Sequence, residues 1–209
     1  MISTIVAYDD NDSDLGDYFV DSHENITVVL RANAQIVNVS IRGLDCTEVF
    51  VNSTITPLNG NRFIFIGISH GNEEELVSHE VYVSASNLTS FSNSLFYSCA
   101  CLTGLKLGKN LIGAGCLVFV GYNDTVLVNV DYFEIFYNCQ NHCIKEFLKG
   151  NETIEGSFSK MIDYYNEEID KLLPGDMDDL LAATSLINNR DCLILLGDRK
   201  LRLNDFEIA

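Results

Sequence analysis

The chain has 209 residues, is 47% hydrophobic and carries a formal net charge of -17. That is enough apolar material for one substantial core, expected as a single domain over residues 1–209. The acidic surface repels phosphate and anionic lipid, which argues against nucleic acid or a membrane surface as a partner; no apolar run reaches the roughly 20 residues of a membrane span.

Met1 to Thr4 has no basic region and leads quickly to Asp9 and Asp10, so no secretory signal is read. The seven cysteines of a chain this large are then expected as reduced thiols in a cytoplasmic protein. Ile2 to Tyr8 is a short β-branched run that predicts a buried strand, closed by an acidic loop from Asp9 to Asp14. Leu15 to His23 predicts a helix, Ile26 to Arg31 a second apolar strand, and Val49 to Thr56, which alternates apolar and polar, an edge strand. Asn59-Gly60-Asn61 is a turn into the apolar strand Phe63 to Ile68. Glu80 to Ser84 reads as a hairpin strand, Ser94 to Tyr97 as a core strand, Leu105 to Ala114 as a helix and Cys116 to Tyr122 as another buried strand. The period then changes. Tyr132 to Leu148, Ile154 to Leu173 and Met177 to Ile187 fit helices, with Pro174-Gly175 as a stop, and Cys192 to Leu196 is a last strand. Continuously apolar strands alternating with helices imply a mostly parallel sheet covered on both faces.

Two of those strands end in reactive residues. Phe63 to Ile68 runs into Ser69-His70-Gly71, and Ser94 to Tyr97 into Ser98-Cys99-Ala100-Cys101-Leu102-Thr103-Gly104. The C-terminal edge of a parallel sheet is where ligands bind. An imidazole there can take a thiol proton and create a thiolate nucleophile. The attacked carbonyl then needs fixed donors for its negative charge, and the amides of Gly71 and of the nucleophile itself are the candidates for an oxyanion hole. Gly71 also lets main chain approach a substrate closely. Either Cys99 or Cys101 can fill the nucleophile's place, and a disulfide between two cysteines so close in sequence would be strained.

Ile68-Ser69-His70-Gly71 resembles the His-Gly motif of the caspase-like cysteine peptidases, the group of caspases, gingipains, separase and CHAT domains. Ser98 to Gly104 is similar to the Ser-Ala-Cys-x-Thr-Gly loop of CHAT domains, which favours Cys101 as nucleophile and leaves Cys99 as the alternative. Leu111 to Val118 looks like the helix end and strand that follow it, and Leu195 to Leu203 like the closing Leu-x-Gly-Asp-Pro-x-Leu-Arg-Leu, with Arg199 in place of the proline. The resemblance implies a caspase-like three-layer α/β/α sandwich and a cysteine endopeptidase, a hydrolase using a His70–Cys101 dyad without metal or other cofactor. It also implies a bacterial effector in antiviral defence or cell death, with a protein or peptide substrate such as a gasdermin-like pore former and a separate sensor or activator. Gingipains and separase hold a basic residue before the scissile bond with an acid. Asp124, after the strand that follows the nucleophile, is the candidate here, with Tyr122 or Tyr97 as lining. The alternatives are a catalytically inactive caspase-like binding or scaffold module, and a thiol hydrolase acting on esters or isopeptides. Cys139, His142 and Cys143 lie within one helical turn, but a zinc site needs four ligands, so a core-facing cysteine pair is expected. His79 is read as a surface residue, and Asp9 and Asp10 as an acidic loop at the sheet edge that carries the dyad.

Overall fold

The computed structural model describes residues 1–208. In chain order the elements are β1 (Ile2–Tyr8), α1 (Gly16–Ala32), β2 (Ile36–Arg42), α2 (Glu48–Ile55), β3 (Phe63–Ile68), β4 (His70–Gly71), β5 (Leu76–Val77), β6 (Val81–Val83), β7 (Ser94–Ser98), α3 (Leu107–Gly113), β8 (Val118–Tyr122), α4 (Phe133–Leu148), α5 (Ile154–Leu172), α6 (Met177–Asp191) and β9 (Leu193–Gly197).

A six-stranded sheet in the order β2-β1-β3-β7-β8-β9 forms the middle layer. The first five strands run parallel, and β9 closes one edge antiparallel to β8. β3, β7 and β8 are buried along their whole length, as strands covered on both faces must be. Alternate residues point to opposite faces. Ile64, Ile66, Leu95, Tyr97, Val118 and Val120 pack under α1, α4, α5 and α6. Phe63, Phe65, Phe96 and Phe119 pack under α2, α3 and a small antiparallel sheet of β4, β5 and β6. This is the three-layer sandwich that the sequence led us to expect. No helix among the described residues is long and apolar enough to cross a membrane.

Two expected strands are helices instead. Ile26 to Arg31 is the second half of α1. Ile26 and Leu30 are buried while Val28 is 68% exposed, so the period is four and not two. Val49 to Thr56 falls almost wholly within α2, where Val51 and Ile55 face the core and Val49 is 80% exposed. Thr47 fixes its start by accepting a hydrogen bond from the Phe50 amide at 3.2 Å. The outer neighbour of β1 is β2, a strand not expected from the sequence. It lies at the sheet edge, and Ile41 is its one buried residue.

The order of strands positions the site. From β1 the chain moves to β2 on one side, and from β3 to β7 on the other. The loops at the C-terminal ends of β1 and β3 therefore part, and a crevice opens between them.

Candidate active site

His70 follows β3 directly, beside that crevice, and its ring is half exposed. Two neighbours orient it. Phe19 of α1 meets the ring edge-on, with centroids 5.4 Å apart. Asp12, from the loop after β1, places Oδ2 3.1 Å from His70 Nε2. Burial would raise the Asp12 carboxyl, but the amides of Leu15 and Asp14 and the facing imidazole outweigh it and hold the group below its ordinary value of 3.8. A charged Asp12 keeps the proton on Nε2 and leaves Nδ1 as the basic nitrogen. Asp9 and Asp10 of the same acidic loop make no hydrogen bond or ion pair with His70 among the described residues. Asp9 is buried, with its carboxylate turned back to the Asn11 amide, and Asp10 faces Arg42.

Cys101 sits in the turn after β7. Ser98 and Thr103 stabilise that turn from below, with their hydroxyls 3.0 Å apart, Ser98 accepting from the Ala100 amide and Thr103 donating to the Ala100 carbonyl. The Leu102 amide donates to the Asp124 carbonyl and the Gly104 amide to the Tyr122 carbonyl, so the turn is tied to the end of β8. Leu102 has φ of 62°, a left-handed conformation that costs a branched side chain energy. Such backbone is held where a neighbouring residue must be presented in one geometry. The Val126 amide donates to Cys101 Sγ at 3.2 Å, and the Cys101 thiol faces the Val126 carbonyl at 3.8 Å.

The two cysteines of the turn differ in surroundings. Cys99 is buried, and burial pushes its thiol up to about 12. It faces Asn141 in the helical layer. Cys101 is the partly exposed member of the pair. Cys101 and His70 line one small cavity of about 30 Å³ together with Tyr18, Gln140, Val126 and Val128. No hydrogen bond joins the His70 ring to Cys101 Sγ among the described residues.

Gly71 holds the His70 strand against the cysteine turn. A Cβ there would stand 2.8 Å from Ala100 Cβ, 3.0 Å from the Glu75 carbonyl oxygen and 3.1 Å from Thr103 Cγ2. Gly71→Ala is therefore expected to lower stability by about 1–3 kcal/mol through overpacking. Thermal unfolding measures that loss, and an unchanged Tm would show that the turn yields freely.

Asp124 is exposed, and its carboxylate accepts from the Thr125 amide at 2.7 Å. With Asn123, Thr125, Leu127, Asn188 and Asp191 it lines an open cavity of about 420 Å³, next to the cysteine turn. Leu127 on its rim is clasped by the fully buried Asn189, which accepts from the Leu127 amide at 2.8 Å and donates to its carbonyl at 2.7 Å. Tyr122 does not line this cavity. It is buried, with its hydroxyl 3.2 Å from that of Tyr165. Tyr97 is likewise in the core, donating to the Gln140 carbonyl. Both point into the helical layer because of their register in β8 and β7.

The remaining candidates lie elsewhere. Cys139 and Cys143 are buried in the core, and His142 stacks on Tyr164 with centroids 4.3 Å apart. His79 faces Glu80. Asp12, Val126, Gln140 and Asp191 came to the site without being singled out in the sequence. Of these only Asp12 left a trace there, as a member of the acidic loop.

The fold is shared with solved structures. Gingipain R, an Arg-specific cysteine proteinase, matches with a TM-score of 0.60 at 12% identity, over 96% of this chain and 47% of its own. The complex of pro- and mature domains of RgpB from Porphyromonas gingivalis gives a TM-score of 0.60 at 12% identity, over 96% of this chain and 48% of that one. A secreted C11 cysteine protease from Bacteroides thetaiotaomicron gives 0.45 at 8% identity, over 73% of this chain and 61% of its own. This chain spans about half the length of the two gingipain chains, and at such identity the likeness is one of fold. No protein-family model matches the sequence, and no curated protein does either.

Proposed function

We propose that this chain is a caspase-like cysteine endopeptidase with Cys101 as nucleophile and His70 as general base. The observation that carries the proposal is the convergence of His70 and Cys101 on one cavity at the C-terminal sheet edge, with the Asp12 carboxylate on Nε2 of the imidazole. In this reading His70 Nδ1 takes the proton of Cys101, and Asp12 stabilises the imidazolium. The thiolate attacks the scissile carbonyl carbon, and the oxyanion is received by the amides of Gly71 and Cys101. The imidazolium then gives its proton to the leaving amine. Water attacks the thioester, His70 takes a proton from it, and the thiol is restored.

The cavity beside the cysteine turn suits the side chain before the scissile bond. Asp124 and Asp191 give it two carboxylates; Asp191 is paired with Arg190 at 2.8 Å, so Asp124 is the group that favours Arg or Lys there. A peptide library with every residue varied before the scissile bond tests this. Cleavage after Arg or Lys is expected, and Asp124→Asn with Asp191→Asn is expected to reduce that preference about tenfold or more. Cleavage after Asp or a large apolar residue would remove these carboxylates from the specificity pocket.

A second reading, a non-catalytic binding module on the same fold, draws on the missing direct hydrogen bond between His70 and Cys101. Acyloxymethyl-ketone peptide probes separate the two. Covalent capture at Cys101 that depends on His70 supports the peptidase, and no capture by any probe supports the module.

A further inference from the structure

We propose that Tyr18 and Gln140 hold one water molecule in the cavity between His70 and Cys101, and that this water carries the thiol proton to the imidazole. The inference rests on the dyad proposed above and assigns two positioning residues to it.

Gln140 lies on the buried face of α4, among Cys139, Cys143, Ile144 and Phe147. Packing alone would place an apolar residue there. Its backbone is fixed from the sheet by Tyr97, whose hydroxyl donates to the Gln140 carbonyl at 2.6 Å. Yet the side-chain Nε2 and Oε1 of Gln140, and the hydroxyl of Tyr18 on α1, are buried with no hydrogen-bond partner among the described residues. Buried polar atoms without partners are costly, and in folded proteins they are satisfied by protein or by ordered water. All three atoms belong to side chains that line the same cavity as His70 and Cys101. Its volume of about 30 Å³ takes one water and no larger group.

The chemistry of the lining fits that occupant. The Tyr18 hydroxyl donates to one lone pair of the water and Gln140 Oε1 accepts one of its hydrogens, which leaves the second lone pair for the Cys101 S–H and the second hydrogen for His70 Nδ1. The proton leaves Sγ for the water oxygen as the water gives one of its own to Nδ1. The water is regenerated, and the products are a thiolate and an imidazolium whose other N–H stays on Asp12. Val126 and Val128 line the cavity beside Cys101. The other titratable groups facing this place are Asp12 beside His70, Cys99 from the turn, Tyr165 near Tyr18, and Cys192 and Asp124 behind Cys101.

The test reads thiolate formation without a substrate. Cys101 is the one cysteine that is not buried, so alkylation by iodoacetamide, followed by mass spectrometry across pH, reports on it. The full-length wild type is compared with Tyr18→Phe, Gln140→Leu, their combination and His70→Ala. The combined variant is expected to be alkylated about tenfold more slowly at neutral pH and at the wild-type rate at pH 10, where hydroxide ionises the thiol directly. Its Tm is expected to stay close to that of the wild type, since leucine and phenylalanine nearly fill the space of the side chains they replace. Should Gln140→Leu prevent folding, Tyr18→Phe, which keeps the ring, carries the same comparison. Wild-type rates at every pH in a folded combined variant would overturn the relay, as would equal slowing at neutral and alkaline pH. If His70→Ala leaves the wild-type profile unchanged, the dyad itself is wrong and the relay falls with it.

Discussion

Replacing Cys101 with alanine will abolish peptide cleavage and covalent capture by peptide ketones, a loss of about 10⁴-fold or more in kcat, while Cys99→Ala will keep the greater part of both. The two residues lie in one turn, and their environments separate them. The Cys99 thiol is enclosed in the helical layer, where burial raises it to about 12. A thiol in that range is protonated at neutral pH and cannot attack a carbonyl. Cys101 is partly exposed, shares a cavity with the imidazole that can take its proton, and receives the Val126 amide on its sulfur. The left-handed Leu102 that follows holds Cys101 at the sheet edge. Cys99→Ala removes a small buried side chain and its weak contact with Asn141, so its effect falls on stability, at about 1 kcal/mol. Kinetics with intact-mass analysis of both variants decides the matter. Capture that survives Cys101→Ala and vanishes in Cys99→Ala would move the nucleophile two residues and require the turn to rearrange.

The readable and unreadable parts of this chain divide on physical lines. β1, β3, β7 and β8 were legible because strands buried on both faces need unbroken apolar runs. α4 and α5 were legible from their amphipathic spacing. Ile26-Thr27-Val28-Val29 and Val49 to Ile55 misled because β-branched residues favour strands locally. In the fold, burial of Ile26 with Leu30 and of Val51 with Ile55 decides for helices. β2 buries too little to write a pattern. At the candidate site, His70 and Cys101 stand out in the sequence because each follows an apolar strand and sits beside glycine-containing sequence. Asp124 could be placed next to the turn, but not paired with Asp191, which arrives from α6. Tyr122 was misjudged because a residue at a strand end can face either layer, and its register sends it inward to Tyr165. Gln140 and Val126 reach the dyad only through packing of distant segments, which no local motif records.

Asp12 shows the same limit and supports the second large prediction. Asp12→Asn will lower kcat/KM about 10²-fold with KM little changed. Asparagine keeps the size and can still accept from the Leu15 and Asp14 amides through its oxygen, as Asp12 does. What it lacks is the charge opposite His70 Nε2. An amide there can donate as well as accept, so it no longer fixes the proton on Nε2, and it cannot stabilise the imidazolium formed when Cys101 is deprotonated. Half exposure of the His70 ring keeps the effect below that of a fully buried carboxylate. The pH dependence has a definite sign. Asp12 is depressed in the folded protein below its ordinary value of 3.8, so the stability it contributes is fully present above that value and is lost as pH falls through the lower, folded one. The difference in Tm between wild type and Asp12→Asn is therefore expected to be constant from neutral pH down to about pH 5 and to shrink in more acid solution. Loss of activity near neutral pH cannot come from Asp12, because its carboxyl is already charged there. An Asp12→Asn enzyme with wild-type kcat/KM would show that Phe19 and the backbone alone orient the imidazole, and that the acidic loop serves only to shape the crevice between β1 and β3.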